Sequence, residues 1–266
     1  MEEPNKYHFR QVSLLITHFN RSASLNRLLK TCKELNYIFD DIIVSDDASS
    51  AEHFQILLEL SKVYSFKLIT SPTNMGLGHN LNKGQDAVTT PLTLYVQEDF
   101  IPLTAFGEHF LNAIDLITSD PKLDFIRFYA YIKYPYLSDF KLGYSNIVYN
   151  FWALDYKKIY VYSDHPHLRR TSFLNKFGRY KEGISGDKTE YRMCISVIQN
   201  RANALFFNEY KSLFKQVNSE AEPSTMNRIN WTQSNYLLIK LIRNIYRQIK
   251  YNCDILLMNP NDGNKI

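Results

Sequence analysis

The sequence predicts an α/β fold, a mainly parallel sheet flanked by helices, with an amphipathic helix at the C-terminal end. Three observations predict it. Short apolar runs of strand length alternate with helical periodicity over about the first 130 residues. Those runs are apolar at consecutive positions, as in strands buried on both faces. A helical apolar period returns near the end of the chain.

The elements follow in order. Val12 to Thr17 is a buried strand, and Ser22 to Leu35 places Leu25, Leu28, Leu29, Cys32 and Leu35 on one helical face. Asp41 to Ser45 is a second strand. Ser49 and Glu52 read as a capping box opening a helix with Phe54, Leu57 and Leu58 inward. Phe66 to Thr70 is a third strand, Leu77 to Val88 a helix, and Leu92 to Val96 a fourth strand. Pro102 is expected at the start of a helix carrying Phe106, Phe110, Ala113 and Ile117, stopped by Asp120-Pro121. Asp124 to Tyr129 returns as a strand. Such β-α alternation implies right-handed crossovers and a parallel sheet covered on both faces. A Tyr-rich, strand-like stretch follows from Tyr131 to Leu168, then helices over Ser172–Phe177 and Asp187–Gln199. Residues 1–220 are expected to form the catalytic domain, with a nucleotide-binding half over about 10–130 and an acceptor-binding half over 131–220. Residues 221–266 read as a linker around Pro223 and a helical extension, frayed beyond Asn259.

Composition narrows the function. The 266 residues carry a net charge of only +4, too weak and too evenly spread for nucleic acid binding. Cys32, Cys194 and Cys253 lie far apart, which argues against a disulfide framework or zinc site and fits a reducing compartment. Met1 to Arg10 lacks the apolar core of a signal peptide, and no apolar run reaches the roughly 18 residues that span a bilayer. A cytoplasmic protein, free or peripheral on the inner face of a membrane, is expected. The 19 Tyr fit polar binding grooves and ordinary compositional bias equally well.

In parallel α/β sheets, ligands bind beyond the carboxyl ends of the strands. Here four strand ends carry polar segments: Thr17-His18-Phe19-Asn20-Arg21, Asp46-Asp47-Ala48-Ser49, Ser71 to Asn80 with Asn74, Gly76 and Gly78, and Gln97-Glu98-Asp99. Singly, each is explained by helix caps, turns or helix dipoles. Together they crowd carboxylates on one edge, where these repel unless a cation or donor lies between them.

These segments resemble the inverting family-2 glycosyltransferases of the GT-A fold. The matching pieces are Val12 to Asn20, the I-V-x-D-D-x-S element over Ile42 to Ser49, Asn74-x-Gly76 with Asn80, Asn82 and Gly84, and the acidic motif Tyr95 to Asp99. The resemblance covers about residues 10 to 200. It implies a nucleotide-diphosphate sugar as donor, a divalent metal (Mn2+ or Mg2+), and a saccharide or lipid-linked acceptor in surface polysaccharide synthesis. It implies that Asp47, with Asp46, accepts from the base, and that Thr17 lines the same pocket. Asn20, Asn74, Gly76, Asn80 and Lys83 complete the nucleotide site, Glu98 lies near ribose and phosphates, and Asp99 binds the metal. Gln97 departs from the pattern, since many members have an acid there.

An inverting transfer needs a general base for the acceptor hydroxyl. Matching Met193-Cys194-Ile195 to the family's apolar run selects Glu190, the preferred assignment; matching Gly186-Asp187 selects Asp187. Asp164, His165 and Trp152 are expected on the acceptor side. His165 and His167, two apart on one strand, would share a face, so His167 is a candidate metal contact beside a plain strand-edge reading. In the last helix, Leu238, Leu241, Ile242, Ile245 and Ile249 form one face and Lys240, Arg243, Arg247 and Lys250 another. That helix could lie on an anionic membrane surface or pack on the domain. Two other classes stay open: a non-catalytic relative that binds nucleotide or saccharide, and, more weakly, a dinucleotide oxidoreductase, which lacks Gly-x-Gly-x-x-Gly after the first strand.

Overall fold

The computed structural model describes residues 6–218 and 237–259, with backbone alone over 237–242. The expected linker around Pro223, the residues before 6 and those after 259 lie outside the described residues. The elements are β1 (Tyr7–His18), α1 (Ser22–Glu34), β2 (Tyr37–Asp46), α2 (Ala51–Tyr64), β3 (Lys67–Thr70), α3 (Leu77–Asp86), β4 (Leu92–Gln97), β5 (Phe100–Pro102), α4 (Phe106–Ser119) and β6 (Leu123–Arg127). After them come β7 (Leu137–Asp139), β8 (Tyr144–Ile147), a 3-10 turn (Tyr156–Ile159), β9 (His167–Arg170), α5 (Phe173–Phe177), α6 (Gly186–Gln199), β10 (Asn203–Phe207), β11 (Phe214–Gln216) and α7 (Leu237–Leu257).

The main sheet has the order β3-β2-β1-β4-β9-β6-β10-β8-β7. β1 to β4 are mutually parallel where they pair, and β1 lies between β2 and β4. Successive side chains of β1 feed opposite cores, as the pleat requires. Leu14 and Ile16 join Phe9, Phe106 and Phe110 on one face, while Leu15 joins Tyr95, Phe125 and Met193 on the other. Strands buried on both faces explain the continuous apolar runs. The register places Thr17 beside Ser45 and Gln97, and His18 beside Asp46. The four polar strand ends therefore do lie on one edge.

The mainly parallel sheet flanked by helices is the expected class, and three other expectations need correction. Within the sheet, β9 runs antiparallel between β4 and β6. Its sequence, His-Leu-Arg-Arg, hides its central place because Arg169 is fully buried yet satisfied. Arg169 Nε and Nη2 donate to Gln85 Oε1 at 3.1 and 2.7 Å, and Nη1 donates to the Tyr180 hydroxyl. Pro102 does not open a helix. It ends β5, which pairs with β11 in a separate two-stranded sheet, a setting that tolerates a missing N–H; α4 begins at Phe106. The capping box does not form. Ser49 Oγ donates to Asp46 Oδ1 at 2.5 Å and accepts the Asn20 amide at 2.8 Å, so α2 starts one residue later, behind Ser50. Finally, α7 packs with a different face from the one expected. Ile255, Tyr251 and Met258 join the second core, whereas Ile245 and Ile249 are 52% and 60% exposed. The expected positions Leu238, Lys240, Leu241 and Ile242 lie outside the described side chains.

α7 is held by polar contacts as well. The Tyr191 hydroxyl donates to Asp254 Oδ2 at 2.5 Å, Lys250 pairs with the same oxygen, and Gln199 Nε2 donates to the Ile255 and Met258 carbonyls at 2.9 and 2.8 Å. Gln248 Nε2 donates to the Ala153 carbonyl at 2.5 Å. No described helix is long and apolar enough to cross a membrane.

Candidate active site

A cavity of about 950 Å³ opens at the polar edge of the sheet. Thr17 at the end of β1, Asp47 after β2, Asn74 and Gly76 before α3, Asn80 on α3, and Glu98 and Asp99 after β4 line one part of it. Asp164, His165, Asp187 and Glu190 line another. Thr17 is buried, its hydroxyl 2.9 Å from that of Tyr95. The Asp47 carboxylate accepts the amides of Met75 and Gly76 at 2.9 and 2.8 Å, which fastens the turn into α3. Gly76 has φ +84°, a left-handed conformation that glycine adopts without strain. Asn80 is pinned from both ends of its amide, donating to the His18 carbonyl at 3.3 Å and accepting from Ser45 at 2.7 Å.

Glu98 and Asp99 face a buried cation. Arg21 Nη1 lies 3.1 Å from Glu98 Oε1 and 3.4 Å from Asp99 Oδ2, and its Nη2 donates to Asn218 Oδ1 at 2.7 Å. Burial and the Asp99 carboxylate push the Glu98 pKa up, against the pull of Arg21 and His18. Gln216 Nε2 donates to Asp99 Oδ2 at 2.8 Å, while Asp99 Oδ1 is buried with no hydrogen-bond partner. Such an orphaned acceptor fits a cation, because an unmatched buried oxygen is costly. Among the described residues no three His, Cys, Asp or Glu side chains converge as a metal cluster. The residues therefore fit a metal held by one carboxylate, with ligand oxygens and water completing the shell, as magnesium commonly is.

The acid group of the other part surrounds Asp164, whose buried carboxylate oxygens both lack hydrogen-bond partners. Burial raises its pKa, Asp187 adds to this, and Arg169 opposes. Glu190 is half-buried on the first turns of α6, three residues after Asp187. Burial and the carboxylates of Asp164 and Asp187 raise its pKa, and the Arg127 guanidinium opposes. Arg127 ends β6 and ties down the segment that presents Asp164, donating to the Tyr160 carbonyl at 2.6 Å and to Ser163 Oγ at 2.8 Å.

Several expected residues do not reach the cavity. Asp46 is fully buried and spent on His18 Nδ1 (2.8 Å), Ser49 and Thr70. Lys83 donates to the Asp46 carbonyl at 2.6 Å and Ser71 Oγ at 2.7 Å, pinning α3. Asn20 accepts the Ser50 amide through Oδ1 at 2.7 Å. His165 precedes β9 rather than lying on it, so the shared face with His167 is not formed. His167 is fully buried, its ring packed against Tyr95 and Tyr162 and its Nδ1 bonded to the His165 carbonyl at 2.7 Å. Trp152 is 84% exposed on the outer surface.

Other lining residues receive no role at the site from the sequence reasoning: Arg21, although it closes the first strand-end segment, with Arg127, Gln216 and Arg247. The strand-end rule could have found Arg127, the last residue of β6. Gln216 comes from a distant segment with no local signal, and Arg247, equally distant, carries only the signal of a basic helix face.

The family model described as "Glycosyl transferase family 2" matches residues 13–176. Curated proteins return no match. Among solved structures, S. aureus TarS superposes with a TM-score of 0.57 at 16% identity, covering 76% of this chain and 36% of TarS. The 1–349 part of TarS in complex with UDP-GlcNAc covers 94% of this chain and 72% of its own length, with TM-score 0.57 and 16% identity. The mannosyltransferase PcManGT from Pyrobaculum calidifontis, in complex with GDP-Man and Mn2+, gives 0.52 at 14% identity, over 74% of this chain and 54% of its own. At these identities the likeness is one of fold, and the chain spans about a third of TarS and about half of PcManGT.

Proposed function

The chain belongs to glycosyl transferase family 2, and from that premise we propose that it moves one sugar from a nucleotide-diphosphate sugar to a saccharide or lipid-linked saccharide, inverting the anomeric carbon. The observation that carries the proposal is the meeting, in one cavity, of Thr17, Asp47 and Asp99 from the strand ends with Asp187 and Glu190 from α6. The neighbours captured with UDP-GlcNAc and GDP-Man support a nucleotide-sugar donor. Asp47 has both oxygens on backbone amides, which fixes its carboxylate at the cavity wall, where it would accept from the base. Thr17 and Asn74 line the nucleoside end. Asp99 would hold a divalent metal through Oδ1, and a bound metal would neutralise charge on the departing diphosphate.

In this reading Glu190 takes the proton of the acceptor hydroxyl as that oxygen bonds to the anomeric carbon. The bond to the diphosphate breaks, and the nucleoside diphosphate leaves with its electron pair. A carboxylate raised toward neutral pH by burial and a like-charged neighbour suits a general base. Asp187, exposed at the first turn of α6, is the alternative base. Residues 1–220 then form the catalytic unit, and α7 is an extension docked on it. The outward face of α7, with Ile245, Tyr246 and Ile249 exposed, supports contact with an anionic membrane surface that would present a lipid-linked acceptor for surface polysaccharide synthesis.

A binding-only module is the competing reading, favoured by Gln97 in the acidic motif and by the absence of a three-ligand metal cluster among the described residues. A nucleotide-sugar panel with Mn2+, followed by release of nucleoside diphosphate, separates the two. Activity lost in Asp99→Ala and Glu190→Ala supports transfer. Silence with every donor, together with metal-independent nucleotide binding, supports the binding module. Loss in Asp187→Ala but not in Glu190→Ala reassigns the base.

A further inference from the structure

Besides Arg127, three cations line the cavity from segments that carry none of the donor-end residues. Lys133 follows β6, Lys157 lies in the 3-10 turn, and Arg247 comes from α7, beyond the span of the family match. The Arg247 guanidinium lies 4.7 Å from the centroid of the Tyr156 ring, and its charge also acts on the Tyr160 and Tyr251 hydroxyls. It forms no ion pair with a carboxylate among the described residues. Lys133 is exposed, and the carboxylate beside Lys157, Asp155, is 3.7 Å away. The cations share the cavity with the expected base, on which Arg127 acts while holding the Tyr160 carbonyl just after the 3-10 turn.

An arginine ordered on an aromatic ring loses little freedom when it binds, and its planar fork matches phosphate oxygens. The donor's own diphosphate is accounted for at Asp99. We propose that the acceptor carries an anionic group of the phosphate class, bound by Arg247 with Lys133 and Lys157, beside the hydroxyl that attacks the donor. The proposal rests on the glycosyltransferase reading for the identity of the cavity. A phosphate in this place could belong to a lipid carrier or to a soluble phosphorylated saccharide.

Calorimetry on the full chain tests it. UDP and GDP are titrated first with Mn2+; failure of both removes the glycosyltransferase reading and this inference with it. The nucleotide-saturated protein is then titrated with decyl phosphate, glucose 1-phosphate and their uncharged counterparts decanol and glucose. A phosphate-bearing probe should bind about tenfold or more tighter than its neutral partner. Decyl phosphate alone would point to a lipid carrier, glucose 1-phosphate alone to a soluble saccharide, and either supports the subsite. Arg247→Gln should weaken phosphate binding about tenfold and Arg247→Lys less, with nucleotide affinity held within about twofold. If Arg247→Gln does not fold, the pair Lys133→Gln and Lys157→Gln, at exposed and half-exposed positions, must show the loss. No phosphate preference on nucleotide-loaded protein, or an equal loss of nucleotide affinity, overturns the subsite while leaving the glycosyltransferase reading intact.

Discussion

Replacing Gly78 with alanine would put a methyl group into the contact between α3 and the segment that enters α6. The added Cβ would lie 2.3 Å from the Lys181 carbonyl oxygen, 3.0 Å from its carbon and 3.3 Å from Thr189 Cγ2. Ordinary contact begins at 3.4 Å, so the carbonyl must retreat by about 1 Å. It cannot rotate aside as a flexible side chain would, because it is backbone and accepts the Thr189 hydroxyl at 2.8 Å. α3 cannot retreat either. Gly84 lies against the sheet, where even a Cβ would come within 2.6 Å of Leu15, and Lys83 and Asn80 anchor the helix to Asp46, Ser71, Ser45 and His18. The yielding partner is therefore the stretch 181–190, which carries Asp187 and Glu190. Alanine gains up to about 1 kcal/mol over glycine in a helix, and overpacking costs about 1–3 kcal/mol, so a net loss of about 1–2 kcal/mol is expected. For a chain of this size that lowers Tm by about 2–8 °C. Displacing the base by about 1 Å should cut kcat on the order of 10²-fold. Donor Kd should stay within about threefold, because the donor-side anchors remain. Calorimetry with the nucleotide, release of nucleoside diphosphate and a thermal scan read the three quantities. An unaltered kcat beside a lowered Tm, or a donor Kd that worsens as much as kcat falls, refutes the reasoning.

Activity should rise with pH through a range above that of ordinary carboxylates, since Glu190 must be ionised to act as base and its pKa is raised. Asp164→Asn removes a neighbouring negative charge and should shift this limb to lower pH; a shift upward would contradict the assignment. The same raised values set a stability slope: the folded chain keeps protons that the unfolded chain releases, so stability falls as pH rises from the ordinary carboxylate range through the raised values, and Glu190→Gln should flatten that fall in pH-dependent melts. Asp99→Asn should lower kcat/KM on the order of 10²-fold and abolish any manganese dependence, read by activity against metal concentration. Ile245→Glu with Ile249→Glu should leave Tm nearly unchanged, as both side chains are exposed, and cut sedimentation with anionic vesicles about tenfold; unchanged sedimentation argues against membrane contact.

The strand-end part of the cavity was legible because its signals are local. Thr17, Asp47, Asn74, Gly76 and Asp99 follow directly on apolar runs whose strand character is plain, so their side of the sheet followed from chain direction alone. Errors arose where a residue had two local uses. Ser49 fits a capping box, but the buried Asp46 claims its hydroxyl. Asp46 resembles Asp47 in sequence, yet the pleat turns it into a network with His18 while Asp47 reaches the cavity. Lys83 and His167 carry chemistry-bearing side chains that the fold spends on its own scaffold.

The order of apolar and polar positions was enough to establish the α/β class and the edge of the sheet that carries the candidate site, and the motifs on that edge carried the family resemblance. Period and strand direction are properties of contiguous residues, so they survive without any tertiary contact. What waited for the tertiary structure was every pairing across long separation: the central antiparallel β9 with its satisfied Arg169, the Arg21 clasp on Glu98 and Asp99, Gln216 on the same aspartate, and Arg247 in the cavity wall. The face with which α7 packs was likewise undecided, because a helix apolar on two sides offers both and only its partners, Tyr191 and Gln199 on α6, select one.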